Sequence, residues 1–151
     1  MTPKRKRNIT LDTNILVAWV LSKKEGSITR RVITKSITDD RLMLSDVICD
    51  ECLGFAETKS GQKAKVTKEY IAARLDELNV NVIRISPVPS DDELKKMGYR
   101  IRDDEDLKIL YSVSMTDSVT LVTRDDDFSG DVAGIKARIM DPESYLRDRR
   151  R

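Results

Sequence analysis

The sequence predicts an α/β fold, a parallel sheet with helices on both faces, and three observations predict it. Short runs of β-branched residues alternate with longer apolar-periodic runs along the chain, which implies crossover connections and parallel pairing. The 151 residues suffice for one domain, where a compact core typically takes ~100 to 200. No repeat, low-complexity tract or linker divides them.

Asn8 to Leu11 reads as the first strand, and Asp12-Thr13-Asn14 offers a cap for an apolar helix from Ile15 to Leu21. Ser27 caps a second helix with Ile28, Val32, Ile33 and Ile37 on one side, and Arg41 to Leu44 is a short strand. Ser45 caps a third helix to about Thr58, Ser60-Gly61-Gln62 breaks the pattern, and Val66 to Leu78 is a fourth. Val80 to Ile85 alternates as a strand should. Ser90 and Glu93 form a capping box for a short helix that Gly98 ends. A fifth main helix spans about Glu105 to Met115. Val119 to Thr123 is a strand, residues 125–134 a turn-rich loop, Lys136 to Met140 the last strand, and Pro142 opens a terminal helix.

Composition narrows the chemistry. Charged residues make up 36% of the chain, above the ~25% of an average globular protein, so the surface is heavily solvated. The net charge is only +2, from 28 basic and 26 acidic residues, which excludes a polycation that coats nucleic acid indiscriminately. The basic residues gather at the ends: residues 1–7 read as a basic arm carrying Lys4, Arg5, Lys6 and Arg7, residues 8–146 as the domain, and residues 147–151 as a basic tail. With no histidine, imidazole-based triads, dyads and zinc sites are excluded. Cys49 and Cys52 have C-x-x-C spacing without further thiol or imidazole ligands and read as small apolar fillers on a helix. The thiol usage and the absence of a secretory signal or membrane-length apolar run point to a reducing, cytoplasmic home.

Four acids stand where acids have no structural reason to be. Asp12 lies at the carboxyl end of the first strand and Asp125 two residues past the Val119 to Thr123 strand, the edge where open parallel sheets form ligand sites. Glu51 falls on the apolar face of its helix with Val47, Ile48 and Phe55; Asp106 falls with Ile109, Leu110 and Val113. Inward-facing carboxylates must be protonated, paired or holding a cation. Singly, Asp12 also suits a helix cap, Asp106 a helix N-terminus, Glu51 an arginine pair, and Asp125 to Asp127 a solvated turn. A single metal site accounts for all four.

In order and spacing, L-D-T-N-I-L (11–16), S-D-V-I-C-D-E-C-L (45–53), R-D-D-E-D-L-K-I-L (102–110) and L-V-T-R-D-D-D-F (121–128), with the closing strand and D-P-E-S-Y-L helix, resemble the PIN-domain nuclease family and its VapC-like ribonucleases. The resemblance implies a three-layer α/β/α sandwich with a parallel five-stranded sheet of order 3-2-1-4-5. It matches Asp12, Glu51, Asp106 and Asp125 to the family's catalytic, metal-binding acids. Asp127 becomes an accessory metal acid, and Asn14 and Thr123 accessory polar residues; Asp103 and Asp104 are the alternatives to Asp106. It further implies one or two Mg²⁺ or Mn²⁺ ions, an RNA substrate, a homodimer and, for a toxin, an antitoxin partner. Oxygen-only ligands suit those hard cations independently.

Two other classes compete with a metal-dependent ribonuclease. A catalytically silent PIN-like module would use its basic ends to bind nucleic acid or assemble, but such a module would be free to lose its acids. An aspartyl phosphatase would need a second Asp where Asn14 stands. Within the ribonuclease class, a toxin and an RNA-processing enzyme are equally compatible with the chain. A homodimer interface is expected on the first two helices, because Ile15 to Leu21, including Trp19, is apolar nearly all round.

Overall fold

The computed structural model describes residues 6–22, 24 and 26–148. Lys4 and Arg5 of the basic arm and Arg149 to Arg151 of the tail lie outside the described residues. The strands are β1 (Asn8–Leu11), β2 (Arg41–Leu42), β3 (Leu44–Ser45), β4 (Val82–Ile83), β5 (Thr120–Val122) and β6 (Arg138–Met140), and all pair in parallel. Between and after them run α1 (Thr13–Leu21), α2 (Ile28–Thr38), α3 (Asp46–Gly54), α4 (Lys59–Lys63), α5 (Lys68–Asp76), α6 (Asp91–Lys96), α7 (Leu107–Met115) and α8 (Pro142–Arg147).

The sheet differs from the expected single five-stranded one. A four-stranded sheet of order β2-β1-β5-β6 stands beside a two-stranded sheet β3-β4. The reason is a stagger in the second strand. Arg41 and Leu42 pair with β1, and Met43 still donates to the Ile9 carbonyl at 2.8 Å, but Leu44 and Ser45 have turned to β4. The parallel α/β class holds, while strand count and order differ in detail from 3-2-1-4-5. Ile9, Thr10 and Leu11 in β1 and all three residues of β5 are buried, so both faces of the central strands are covered. That is the signature of a parallel sheet between helical layers.

Several expected boundaries shift. The third helix ends at Gly54, and Ser60-Gly61-Gln62 forms α4 instead of a break. Thr58 caps α4 by accepting from the Gly61 N–H at 3.0 Å, and Gly61 is needed because a Cβ there would sit 2.0 Å from the Phe55 carbonyl oxygen. The strand expected over Val80 to Ile85 keeps ladder pairing only at Val82 and Ile83. The fifth main helix begins at Leu107, with Asp104 to Asp106 in a 3₁₀ turn.

Trp19, expected at a dimer interface, packs within its own chain, while Leu21 and Ile28 remain exposed. Trp19 is only 8% exposed within its own chain, where α2, α3 and α5 pack around α1 and the Arg74 guanidinium lies 4.1 Å from the indole ring centre. Ile15, Leu16, Val17, Trp19 and Val20 are buried by the chain itself. The closing helix is tied down by a buried network: the Tyr145 hydroxyl donates to Asp40 at 2.6 Å, and Arg7 reaches Asp40 at 3.5 Å and Asp148 at 3.4 Å. Arg7 is thus engaged in the fold, and Lys6 is the exposed described residue of the arm. Among the described residues no helix is long and apolar enough to cross a membrane.

Candidate metal centre

The first strand delivers Asp12 to the carboxyl edge of the sheet, and its backbone N–H still donates to the Val122 carbonyl at 2.9 Å, extending the β1–β5 ladder by one residue. The side chain is 5% exposed. It is also the N-cap of α1: one carboxylate oxygen accepts from the Thr13 N–H at 2.7 Å, the other from the Thr123 hydroxyl at 2.6 Å. Capping and site membership are therefore compatible, where sequence alone had set them as alternatives. Burial raises the Asp12 carboxyl to about 6, the two donors hold it down, and Glu51 and Asp125 add repulsion.

Glu51 projects from the middle of α3, half-buried. Its Oε2 accepts from the Thr13 hydroxyl at 2.7 Å and its Oε1 meets the Lys108 ammonium at 2.9 Å. Thr13 thus touches both Asp12 and Glu51, through its backbone and its hydroxyl. The Asp125 N–H donates to the Thr123 hydroxyl at 3.0 Å, and an Asp125 oxygen accepts from the Asp127 N–H at 2.9 Å, so the loop after β5 closes on itself around the acids.

Asp106 occupies the N-cap position of α7 yet makes no side-chain capping bond. Its Oδ2 is buried without a hydrogen-bond partner. Its backbone is helical and continues the preceding 3₁₀ turn, whose Asp104 carbonyl already accepts the Leu107 N–H. Burial, then repulsion from Asp125, Asp12, Asp103 and Asp127, raises its carboxyl to about 7. Carboxylate oxygens of Asp103, Asp106 and Asp127 lie within 4.8 Å of one another, the tightest acidic group among the described residues. Asp103 thus lies beside Asp106, while Asp104 pairs with Lys95 at 2.8 Å. Asp127 also receives the Arg102 guanidinium, at 2.7 Å from Nε. Asn14 is exposed on α1. Cys52 is buried on the far turn of α3 and burial pushes its thiol well up; Cys49 is raised to about 11 by the same cause. Both remain apolar fillers.

A family model, the PIN domain, matches residues 9–130. The chain belongs to the PIN domain family. That family is one of nucleases using divalent metal ions, and this PIN domain carries an acidic cluster at the expected sheet edge. Among solved structures, the domain is similar to a chain in the crystal structure of VapBC2 from Rickettsia felis bound to a DNA fragment from their promoter. There the TM-score is 0.57 at 17% identity, covering 89% of this chain and 98% of that one. The likeness supports the fold. No curated protein matches the sequence significantly.

The donor set of this PIN domain fits a divalent ion. Every group is a carboxylate or hydroxyl oxygen, one buried carboxylate oxygen is orphaned, and two carboxyls are raised by burial and by each other, all of which a hard cation would relieve. Asp106, Asp103 and Asp127 would hold it closely, with Asp12, Asp125 and Glu51 alongside. Sequence reasoning missed Thr13 and Lys108, and weighed Asp103 only as an alternative to Asp106. Thr13 had a signal, a hydroxyl beside Asp12 in L-D-T-N, and so did Lys108, a lone cation on an otherwise apolar helix run.

Proposed function

We propose that this chain is a metal-dependent endoribonuclease that hydrolyses RNA phosphodiester bonds at the acidic centre. The observation that carries the reading is the buried, unpartnered Asp106 oxygen beside Asp103 and Asp127, facing a buried Asp12. Mg²⁺ or Mn²⁺, when bound there, would acidify a water and offset charge on the scissile phosphate and the leaving oxygen. The chain's residues supply the rest: Asp106, Asp103 and Asp127 would hold the cation with Asp12, Glu51 and Asp125 beside them, Thr123 orients Asp12, Thr13 orients both Asp12 and Glu51, and Asn14 lies on the rim. No imidazole is present to act as base, and a bare acidic pocket repels phosphate. The cation is thus required for both binding and chemistry.

Purified protein should cut single-stranded or structured RNA in Mg²⁺ or Mn²⁺ and stop in EDTA, and Asp106→Asn should be inactive. Cleavage that survives thorough chelation would refute the metal reading. A toxin paired with an antitoxin is favoured over an RNA-processing role by the likeness to a VapBC2 chain over nearly its whole length. Growth arrest on expression, relieved by an adjacent small open reading frame, tests that role; harmless expression of the active enzyme refutes it. The retained acids disfavour a silent binding module.

A further inference from the structure

Both oxygens of Glu51 are occupied, one by the Thr13 hydroxyl at 2.7 Å and one by Lys108 at 2.9 Å. Lys108 sits in the first turn of α7, two residues after the orphaned Asp106, and every other residue from Leu107 to Val113 is buried. Its ammonium is therefore the cation that α7 turns toward the acid row. The Lys108 side chain is 42% exposed and that of Glu51 25%, so the pair can open without unpacking the core. A partly exposed pair of this kind is weak, and a divalent ion outcompetes a single ammonium for a carboxylate.

We propose that Lys108 is a substrate-binding residue held in reserve by Glu51: it neutralises Glu51 in the metal-free site, leaves when a divalent ion takes that carboxylate, and then contacts a phosphate of the nucleic-acid strand beside the scissile bond. The proposal rests on the nuclease reading above. It assigns Lys108 two opposite effects, weakening metal uptake and strengthening strand binding. A purely structural ion pair would have neither.

The test uses Lys108→Met and Lys108→Arg, with Lys68→Met, which deletes the surface pair with Glu57, as the control for lost charge elsewhere. In calorimetric Mn²⁺ titrations without RNA, Lys108→Met should bind roughly two- to five-fold tighter than wild type, and Lys68→Met should match wild type. With the acids intact and a hydrolysis-resistant phosphorothioate strand, single-stranded binding in Mn²⁺ should lose about 0.7 of its log-log salt slope in Lys108→Met. Lys108→Arg should keep that slope. Equal Mn²⁺ affinity in wild type and Lys108→Met overturns the exchange, and an unchanged salt slope overturns the phosphate contact. Equal loss in Lys108→Arg and Lys108→Met overturns it too, since the position would then act structurally. A wild type that takes up no Mn²⁺ overturns the nuclease reading and this proposal with it.

Discussion

Thr123 donates its hydroxyl to Asp12 at 2.6 Å across 111 residues of chain, and both side chains are buried. The same hydroxyl accepts the Asp125 N–H, so one threonine joins the ends of two neighbouring strands to the loop that carries the last acids. Thr123→Val preserves the volume and removes the donor that favours ionised Asp12. The Asp12 carboxyl, already raised to about 6, should rise further, and Mn²⁺ binding followed against pH should shift its midpoint upward. Leaving the Asp125 N–H unpaired should also cost about 1–3 kcal/mol in denaturant unfolding. A valine variant with the wild-type midpoint would remove Thr123 from the site.

The pH dependence of stability has a definite sign. Asp12 and Asp106 are raised in the folded chain from 3.8 to about 6 and about 7, so the folded state binds more protons than the unfolded state between those limits. Their contribution is fully present below the unfolded value and is lost as pH rises through the folded ones. In EDTA, the melting temperature should therefore fall from pH 4.5 to 7.5 on account of these groups, and Asp12→Asn/Asp106→Asn should flatten that fall. An equal slope in the double variant would show that these carboxyls do not titrate as described.

Added Mn²⁺ should reverse the trend. Metal competes with protons for the same oxygens, so stabilisation should be small at pH 5 and larger at pH 7.5, approaching about 2.7 kcal/mol at a hundred-fold excess over Kd. Thermal melts with and without Mn²⁺ at the two pH values read this directly. Stabilisation equal at both would point to binding away from Asp12 and Asp106.

Asp12→Asn alone should abolish cleavage while leaving metal-free stability at pH 7.5 unchanged or higher, because it removes a buried, repelled charge. The asparagine keeps one oxygen for the Thr13 N–H, so the α1 cap survives. If the variant instead loses several kcal/mol at pH 7.5, the capping role outweighs the site.

Tyr145→Phe should destabilise the fold by about 1–3 kcal/mol without altering metal binding, since Asp40 is buried and loses its hydroxyl donor. Arg7→Gln should behave the same way, since Arg7 is paired with Asp40 and Asp148. A stable Arg7→Gln protein with weakened RNA affinity would return Arg7 to the substrate surface.

Local signals account for what the sequence by itself determined. Ser27, Ser45 and Ser90 announced their helices because a capping side chain needs only neighbours three residues away. The alternation of strands and helices set the parallel class, and the absence of histidine excluded imidazole chemistry. Tertiary structure alone decided what depends on packing at distance. Gly61 could read as a break until Phe55 was placed against it, and Trp19 could read as an interface until three helices covered it. Asp103 could read only as a rival to Asp106 until the 3₁₀ turn put both beside Asp127. Thr13 and Lys108 meet Glu51 from α1 and α7, elements separated from it by 38 and 57 positions, and no sequence period reports a contact made across such a span. Burial and partner identity are properties of the folded chain, because they depend on which distant surfaces exclude water from a side chain.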